Sequence, residues 1–325
     1  MLGIPLLRHV KPMGSDPNLT EVKTGIVREG RERAAYAAVA DYFKDADRGW
    51  ELLNFPAVPG GLLDARDALS IEHPTAPVIE GFTIALADDW DAFHRGLKRN
   101  VKEAIRRCHN RPKRDGLKPV FSCLSDSAAI RAMLPEFYRL HSARAEKPDS
   151  VHHPEYFQDE KSRSFIDLLA SDPENSGIRL FALKDGDRLI AARLAFETPG
   201  GTYLYYSGYD LEYGKYGIMT RLVVEVLKRS IACGQQYVHL SFGRDRSKTQ
   251  WSPREMVYKQ QLIVRNSVRG RLLAVFYLAF QKRWKKTHRL PKASQSRRPS
   301  AFAVSCIRSL GILAKELSRG RRVAG

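Results

Sequence analysis

Between residues 201 and 246 the polar and apolar positions change period twice. A β-branched and aromatic run over 202–207 predicts a strand. A polar loop holding Gly208, Gly214 and Gly217 follows. Ile218, Met219, Leu222, Val223, Val226, Leu227 and Ile231 then recur at three- and four-residue intervals, the signature of a helix with one buried face. Gly234 stands where a helix C′ residue is expected, and 237–242 predicts a second strand. Two strands joined through a helix should lie parallel, through a right-handed crossover.

The flanks continue the pattern. Strands are expected at 178–184 and 189–196, turning at Asp185-Gly186, with Pro199-Gly200-Gly201 leading into the strand at 202. A further strand is expected at 256–264. Upstream, Pro5, Pro12 and Pro17 predict an irregular start over 1–18. A helix at 31–44, a strand at 50–55, a short helix at 62–69 and a strand at 78–86 follow. Helix-then-strand at 35–55 echoes 222–242 as a weak internal repeat. Asp88 or Asp89 can cap a helix with the apolar stripe Trp90, Phe93, Leu97, Val101, Ile105 and Cys108. Its other positions carry Arg95, Lys98, Arg99, Lys102, Arg106 and Arg107, either a solvated face or an electropositive wall for an anionic ligand. A strand is expected at 117–123. A helix over 128–145 should be broken by Pro135, and another over 155–170 opened by Pro154. Residues 146–153 between them are a polar loop.

The crossover has a chemical consequence. It sets the glycine loop at the end of one strand and the start of the helix, where unpaired backbone N–H groups and the helix dipole favour an anion. Lys215 adds a mobile positive charge. The spacing fits neither GxxxxGK[ST] nor GxGxxG with a following acid, which disfavours a P-loop and a dinucleotide site.

Charge is uneven. From residue 265 onward sixteen Lys and Arg face one acid, Glu316, so +15 of the net +18 lies there. That predicts a basic tail rather than a surface coated for nucleic acid. The segment 271–286 is apolar with basic flanks, and Phe302, Ile307, Leu310 and Leu313 suggest an amphipathic helix. It either packs on the body or rests on an anionic membrane surface. No run is long enough to span a membrane, and 1–10 lacks the features of a signal peptide. Cys108, Cys123, Cys233 and Cys306 form no CxxC pair, and His152-His153 lacks metal-ligand spacing. No metal site is expected, and a reducing cytoplasm fits best.

The strand order β-β-β-loop-α-β-β resembles GNAT-type N-acyltransferases, specifically the CelD-like branch of cellulose and exopolysaccharide biosynthesis, related to the FemAB transferases. The likeness rests on 90–107, His141, the run 165–169, the small-residue strand 189–194, the tyrosine strand and glycine loop 205–220, and Phe242-Gly243-Arg244. It implies an α/β (α+β) fold, a GNAT-like mixed sheet around a splayed parallel strand pair. It also implies two GNAT-like halves, the first incomplete because the chain begins late: an N-terminal half at 1–115, an acyltransferase half at 116–265 and a basic tail at 266–325.

The resemblance also implies a transferase that carries an acyl group from acetyl-CoA or another acyl-CoA to an amine, an amino sugar among the candidates. Gly214, Lys215, Tyr216, Gly217 and Ile218 would hold the donor. Asp210 or Glu212 could serve as base, and Tyr206, Tyr209 or Tyr258 as acid. Tyr205 and Arg244 would face the substrate, as would Arg193, which either neutralises an acidic ligand or forms a buried structural ion pair. His239 is expected to be packed or hydrogen-bonded rather than catalytic. The family often has an acid where Ser241 stands. FemAB relatives use aminoacyl-tRNA, which would bring a nucleic-acid partner, and an idle scaffold is a third reading. The location expected is cytoplasmic, including the inner membrane face.

Overall fold

The computed structural model describes residues 8–12, 19, 21, 25–28, 30–45, 49–59, 68–72, 79–146 and 155–287. The chain divides into two compact units, one of 1–16, 22–79 and 257–325 and one of 17–21 and 80–256. The 115/116 boundary expected from sequence falls inside the second unit.

The first unit contains strand β1 (His9–Val10), helix α1 (Glu32–Asp45), and strands β2 (Leu52–Pro59) and β3 (Ala68–Glu72). β1 runs parallel to β2 within the segment expected to be irregular. Ala68 and Leu69 are extended and pair with Arg265 and Val264, so the end of the expected 62–69 helix is strand; 62–67 lie outside the described residues. Trp50, Leu53, Phe55 and Val58 pack with Tyr36 of α1 and with Ile263.

The second unit carries the site. Its elements are β4 (Ile79–Ala85), α2 (Trp90–Gly96), α3 (Arg99–Arg114), β5 (Val120–Leu124), α4 (Ser127–Ala145), α5 (Glu160–Ser171) and α6 (Pro173–Ser176). β6 (Ile178–Asp185), β7 (Arg188–Thr198), β8 (Gly201–Tyr209), α7 (Ile218–Ala232), β9 (Tyr237–Phe242) and α8 (Arg246–Thr249) complete it. Its sheet runs β4-β9-β8-β7-β6-β5. β8 and β9 are the parallel pair that the crossover predicts; the other neighbours are antiparallel. This is the mixed GNAT-like sheet. β10 (Arg254–Arg265) and α9 (Val268–Thr287) follow.

Alternation along each strand divides the core. Phe181 and Leu183 point to the face covered by α3 and α7, where Val101, Ile105, Leu222 and Val226 pack. Leu180 and Ala182 point to the other face, against Ile130, Leu134, Phe137 and Leu140 of α4 and Ile166 of α5. The turns use the expected residues. Gly186 (φ 58°) occupies the first central place between Asp185 and Arg188, and Gly200 (φ 88°) follows Pro199 in the next hairpin.

In this unit three expected helices differ. The 90–107 stripe is divided at Gly96 and Leu97, where Leu97 is extended, yet Phe93, Val101 and Ile105 still share one core. Asp89 caps the first piece, accepting from Ala92 N at 2.7 Å. Pro135 does not break α4: it lies on the exposed face, where water can satisfy the freed carbonyl, while buried Leu134 and Phe137 hold the helix on both sides. The third helix starts at Glu160 rather than 155, because Asp159 caps it through Ser162 N. Of the expected 146–153 loop, all but Glu146 lies outside the described residues, as do 288–325 of the tail.

Candidate functional site

The parallel pair separates as it runs. Registered partners end at Tyr203 and His239, and the strands then diverge. Both carry an irregularity at that level. Tyr205 and Tyr206 of β8 occupy the interval that Leu194 alone spans on β7, and Leu240 and Ser241 of β9 occupy the interval that Phe82 spans on β4. One extra residue in each strand is a β-bulge, which bends the strand and takes backbone groups out of the ladder. Ser241 has φ 69°, left-handed backbone that a residue with a Cβ rarely takes.

A cleft of about 330 Å³ opens between the diverging ends. Tyr205, Tyr206 and Ser207 line one side and Leu240, Ser241 and Phe242 the other. α4 closes it with His141 and Arg144, and the α8 turn adds Lys248 and Trp251. α4 can cross this close because residue 208 is glycine: a Cβ there would lie 2.5 Å from His141 N and 2.6 Å from Leu140 C. His141 Nδ1 then meets Ser207 O at 3.1 Å, and Arg144 Nη1 donates to Ser207 Oγ at 2.5 Å.

Glu21 enters the same cleft from far upstream. Ser241 Oγ lies 2.7 and 2.8 Å from its two carboxylate oxygens, and Tyr203 Oη donates to it as well. Burial pushes the Glu21 carboxyl up, against the hydrogen bonds from Tyr203 and Ser241 and the charges of Lys248 and Arg193. Burial also pushes Lys248 down to about 8 and His239 down to about 4. His239 Nδ1 accepts from Ser241 N at 3.0 Å, and its ring stacks on Tyr203 at 4.6 Å, the packed role expected of it. Arg193 lies in the cleft with its Nε out of contact with water and without a hydrogen-bond partner among the described residues.

A groove of about 350 Å³ runs along the glycine loop, lined by Tyr209, Gly214, Gly217, Ile218, Met219 and Thr220. Arg144, Met219, Thr220, Asp245 and Ser247 line both groove and cleft. Leu211–Tyr216 form a 3-10 turn, and Gly217 (φ 69°) takes the N-cap place of α7 with no side chain to cap it. The first N–H groups of α7 therefore have no capping side chain, the condition that favours an anion. The basic helix α3 lies beside this loop, with Arg111 Nη1 donating to Lys215 O at 3.3 Å.

Of the residues expected from sequence, Arg193, Tyr205, Tyr206 and Arg244 line the cleft, while Tyr209, Gly214, Gly217 and Ile218 line the groove. Asp210 lines neither. It is buried, binds Arg188 Nε at 2.8 Å and accepts from Glu212 N at 3.1 Å as the cap of the 3-10 turn. Glu212 also pairs with Arg188, at 2.7 Å. Tyr216 Oη donates to Asp115 at 2.9 Å, and the Lys215 ammonium lies 5.0 Å from the Tyr216 ring centroid. Tyr258 belongs to the other unit. Arg244 is held by Glu80 at 2.9 Å and by Glu255. Sequence reasoning missed Glu21, Arg144 and Lys248. Glu21 stands in a proline-rich start with no periodicity, and the two cations look like ordinary helix and loop charges.

Residues 99–260 match the model of a family described as an acetyltransferase (GNAT) domain. No curated protein matches the chain. Among solved structures, FemX superposes with a TM-score of 0.53 at 11% identity, over 74% of this chain and 78% of that one. L-PGS from Bacillus licheniformis gives 0.46 at 14% identity, over 77% and 79%. No helix among the described residues is long and apolar enough to cross a membrane. The family match over residues 99–260 and the splayed, bulged strand pair of the mixed sheet both support an acyltransferase of the GNAT superfamily.

Proposed function

We propose that the protein transfers an acyl group from a coenzyme A thioester to an amine. The observation that carries this reading is the shared lining of groove and cleft, which both border Arg144, Met219, Thr220, Asp245 and Ser247. A donor with phosphates at the glycine loop and a long thioester arm would run from the α7 N-terminus to the diverging strands. The phosphates would meet the backbone N–H groups of Ile218 to Thr220 and the basic face of α3.

In the cleft, the thioester carbonyl would lie against the bulged stretch of β8, where a backbone N–H among residues 205–208 serves as oxyanion donor. Holding acyl carbon and amine in one small cleft supplies a large part of the rate by proximity. Of the five catalytic candidates expected from sequence, Tyr206 is the one that lines the cleft; burial keeps its hydroxyl protonated, ready to give a proton to the leaving thiolate. Tyr209 would position the donor arm in the groove. An amino sugar of polysaccharide synthesis is one acceptor of this class.

One observation favours a second donor. Arg106, Arg107, Arg111 and Arg114 surround an open hollow on α3, a surface that suits a larger polyanion such as aminoacyl-tRNA. Calorimetric titration with acetyl-CoA and with charged tRNA at two salt concentrations separates the donors. Saturable, acyl-dependent binding of the thioester supports the first, and steeply salt-dependent binding of tRNA alone supports the second.

A further inference from the structure

Among the described residues that line the cleft, cations outnumber carboxylates. Arg144, Arg193 and Lys248 face Glu21 and Asp245 there, while the fourth cation, Arg244, is already held by Glu80 and Glu255. Asp245 is committed in part elsewhere: its Oδ1 accepts from Ser247 N at 2.7 Å, and its Oδ2 lies 3.8 Å from Lys248. Arg193 is the least satisfied of the group. It makes no hydrogen bond or ion pair with any described residue, and its Nε is shielded from water. A guanidinium in that position carries a desolvation cost that a bound anion would relieve. Its pKa is depressed to about 10, with burial as the main cause and Arg144 as the second.

Glu21 supplies the opposite character in the same small space. Ser241 and Tyr203 both donate into its carboxylate, which fixes the group at the mouth of the strand separation. The carboxylate thus stands against Ser241 at the end of β9, where the two parallel strands part.

We propose that the acceptor is a small amine that also carries an anionic group, a carboxylate or a phosphate: Arg193, with Arg144 and Lys248, binds the anion, and Glu21 takes the proton of the ammonium. This rests on the acyl-transfer reading of the site and names its substrate class. In the step, the deprotonated nitrogen forms the N–C bond to the thioester carbonyl and the C–S bond breaks. Of the two protons that leave the nitrogen, one passes to Glu21 and on to solvent, and the other ends on the departing thiolate. The raised affinity of Glu21 for a proton brings it nearer to an amine than an ordinary carboxylate would be.

The test uses matched amines and the full chain without any donor: β-alanine against β-alaninamide, and phosphoethanolamine against ethanolamine, each titrated by calorimetry. Binding of an anionic member at least tenfold tighter than its neutral partner, lost in Arg193→Met and retained in Lys215→Ala, supports the proposal. Which pair shows the preference distinguishes carboxylate from phosphate. Equal binding within both pairs, or binding by none of the four, overturns it. Displacement of the anionic amine by free coenzyme A also overturns it, because the anion would then occupy the donor's phosphate place. Failure of acetyl-CoA to bind at all is a separate result and counts against the donor reading alone.

Discussion

Ser241 and Glu21 meet across 220 positions of sequence, with the serine hydroxyl 2.7 Å from one carboxylate oxygen and 2.8 Å from the other. Ser241 adopts φ 69° to do so, at the bulge where β9 leaves β8. Backbone in this region costs a residue with a Cβ of order 1–3 kcal/mol and persists where surrounding contacts enforce it. His239 is one such contact, accepting the Ser241 N–H.

Glu21→Gln keeps the shape and an acceptor for Ser241 but removes the base. In steady-state assays kcat should fall by about 10²-fold or more. Stability should move the other way. The folded carboxyl has its pKa raised, so Glu21 favours folding below the unfolded value of 4.5 and loses that contribution as pH rises through the folded value. At pH 8 the glutamine variant should therefore match or exceed the parent in urea. A variant equally active, or one strongly destabilised at pH 8, contradicts the role.

His239 gives the acid-side counterpart. Its pKa is lowered by burial from 6.5 to about 4, with Lys248 contributing. The neutral ring contributes stability that is fully present above pH 6.5 and lost as pH falls toward 4, on the order of 2–3 kcal/mol. His239→Gln should flatten the slope of unfolding free energy between pH 7 and 4.5. An unchanged slope would show that other groups set the acid limit.

Gly208→Ala should destabilise the protein by about 1–3 kcal/mol, because the added carbon meets α4 backbone rather than a yielding side chain. His141 and Arg144 ride on that helix, so acceptor turnover should fall with it. Denaturant unfolding and initial rates check both halves; wild-type stability would mean that α4 does not bear on β8 so closely.

These positions show what the sequence made legible. The period change at 201–242 identified the parallel pair, the crossover helix and the glycine loop, since each follows from local pattern. Gly186 and Gly200 marked their hairpins by turn chemistry alone. Pro135 and the division at Leu97 were not legible, because tertiary packing of Leu134, Phe137, Phe93 and Val101 decided them. Glu21 was invisible for a deeper reason: its role depends on a contact with Ser241 that no local pattern encodes. Asp210 drew attention as a carboxylate beside the loop, yet its neighbours are Arg188 and the backbone of Glu212.

Helix α9 carries Val268, Leu272 and Phe276 on one exposed stripe, with Arg269 and Arg271 alongside. A stripe of this kind followed by a strongly basic segment suits an anionic membrane surface. Co-sedimentation with phosphatidylglycerol-containing vesicles at low salt should recover the full chain in the pellet, and Phe276→Asp with Leu272→Asp should abolish it. Retention of the intact protein in the supernatant would dismiss this surface.

The donor is the centre of the account, and thermal unfolding against free coenzyme A, acetyl-CoA and longer acyl-CoAs tests it most directly. At about a hundred times its dissociation constant a ligand of the native state adds roughly 2.7 kcal/mol, enough for a clear rise in Tm. Groove and cleft together predict a rise with coenzyme A, a change in that rise with acyl length, and its loss in Gly217→Asp. A folded protein whose Tm ignores every coenzyme A derivative would contradict the thioester donor.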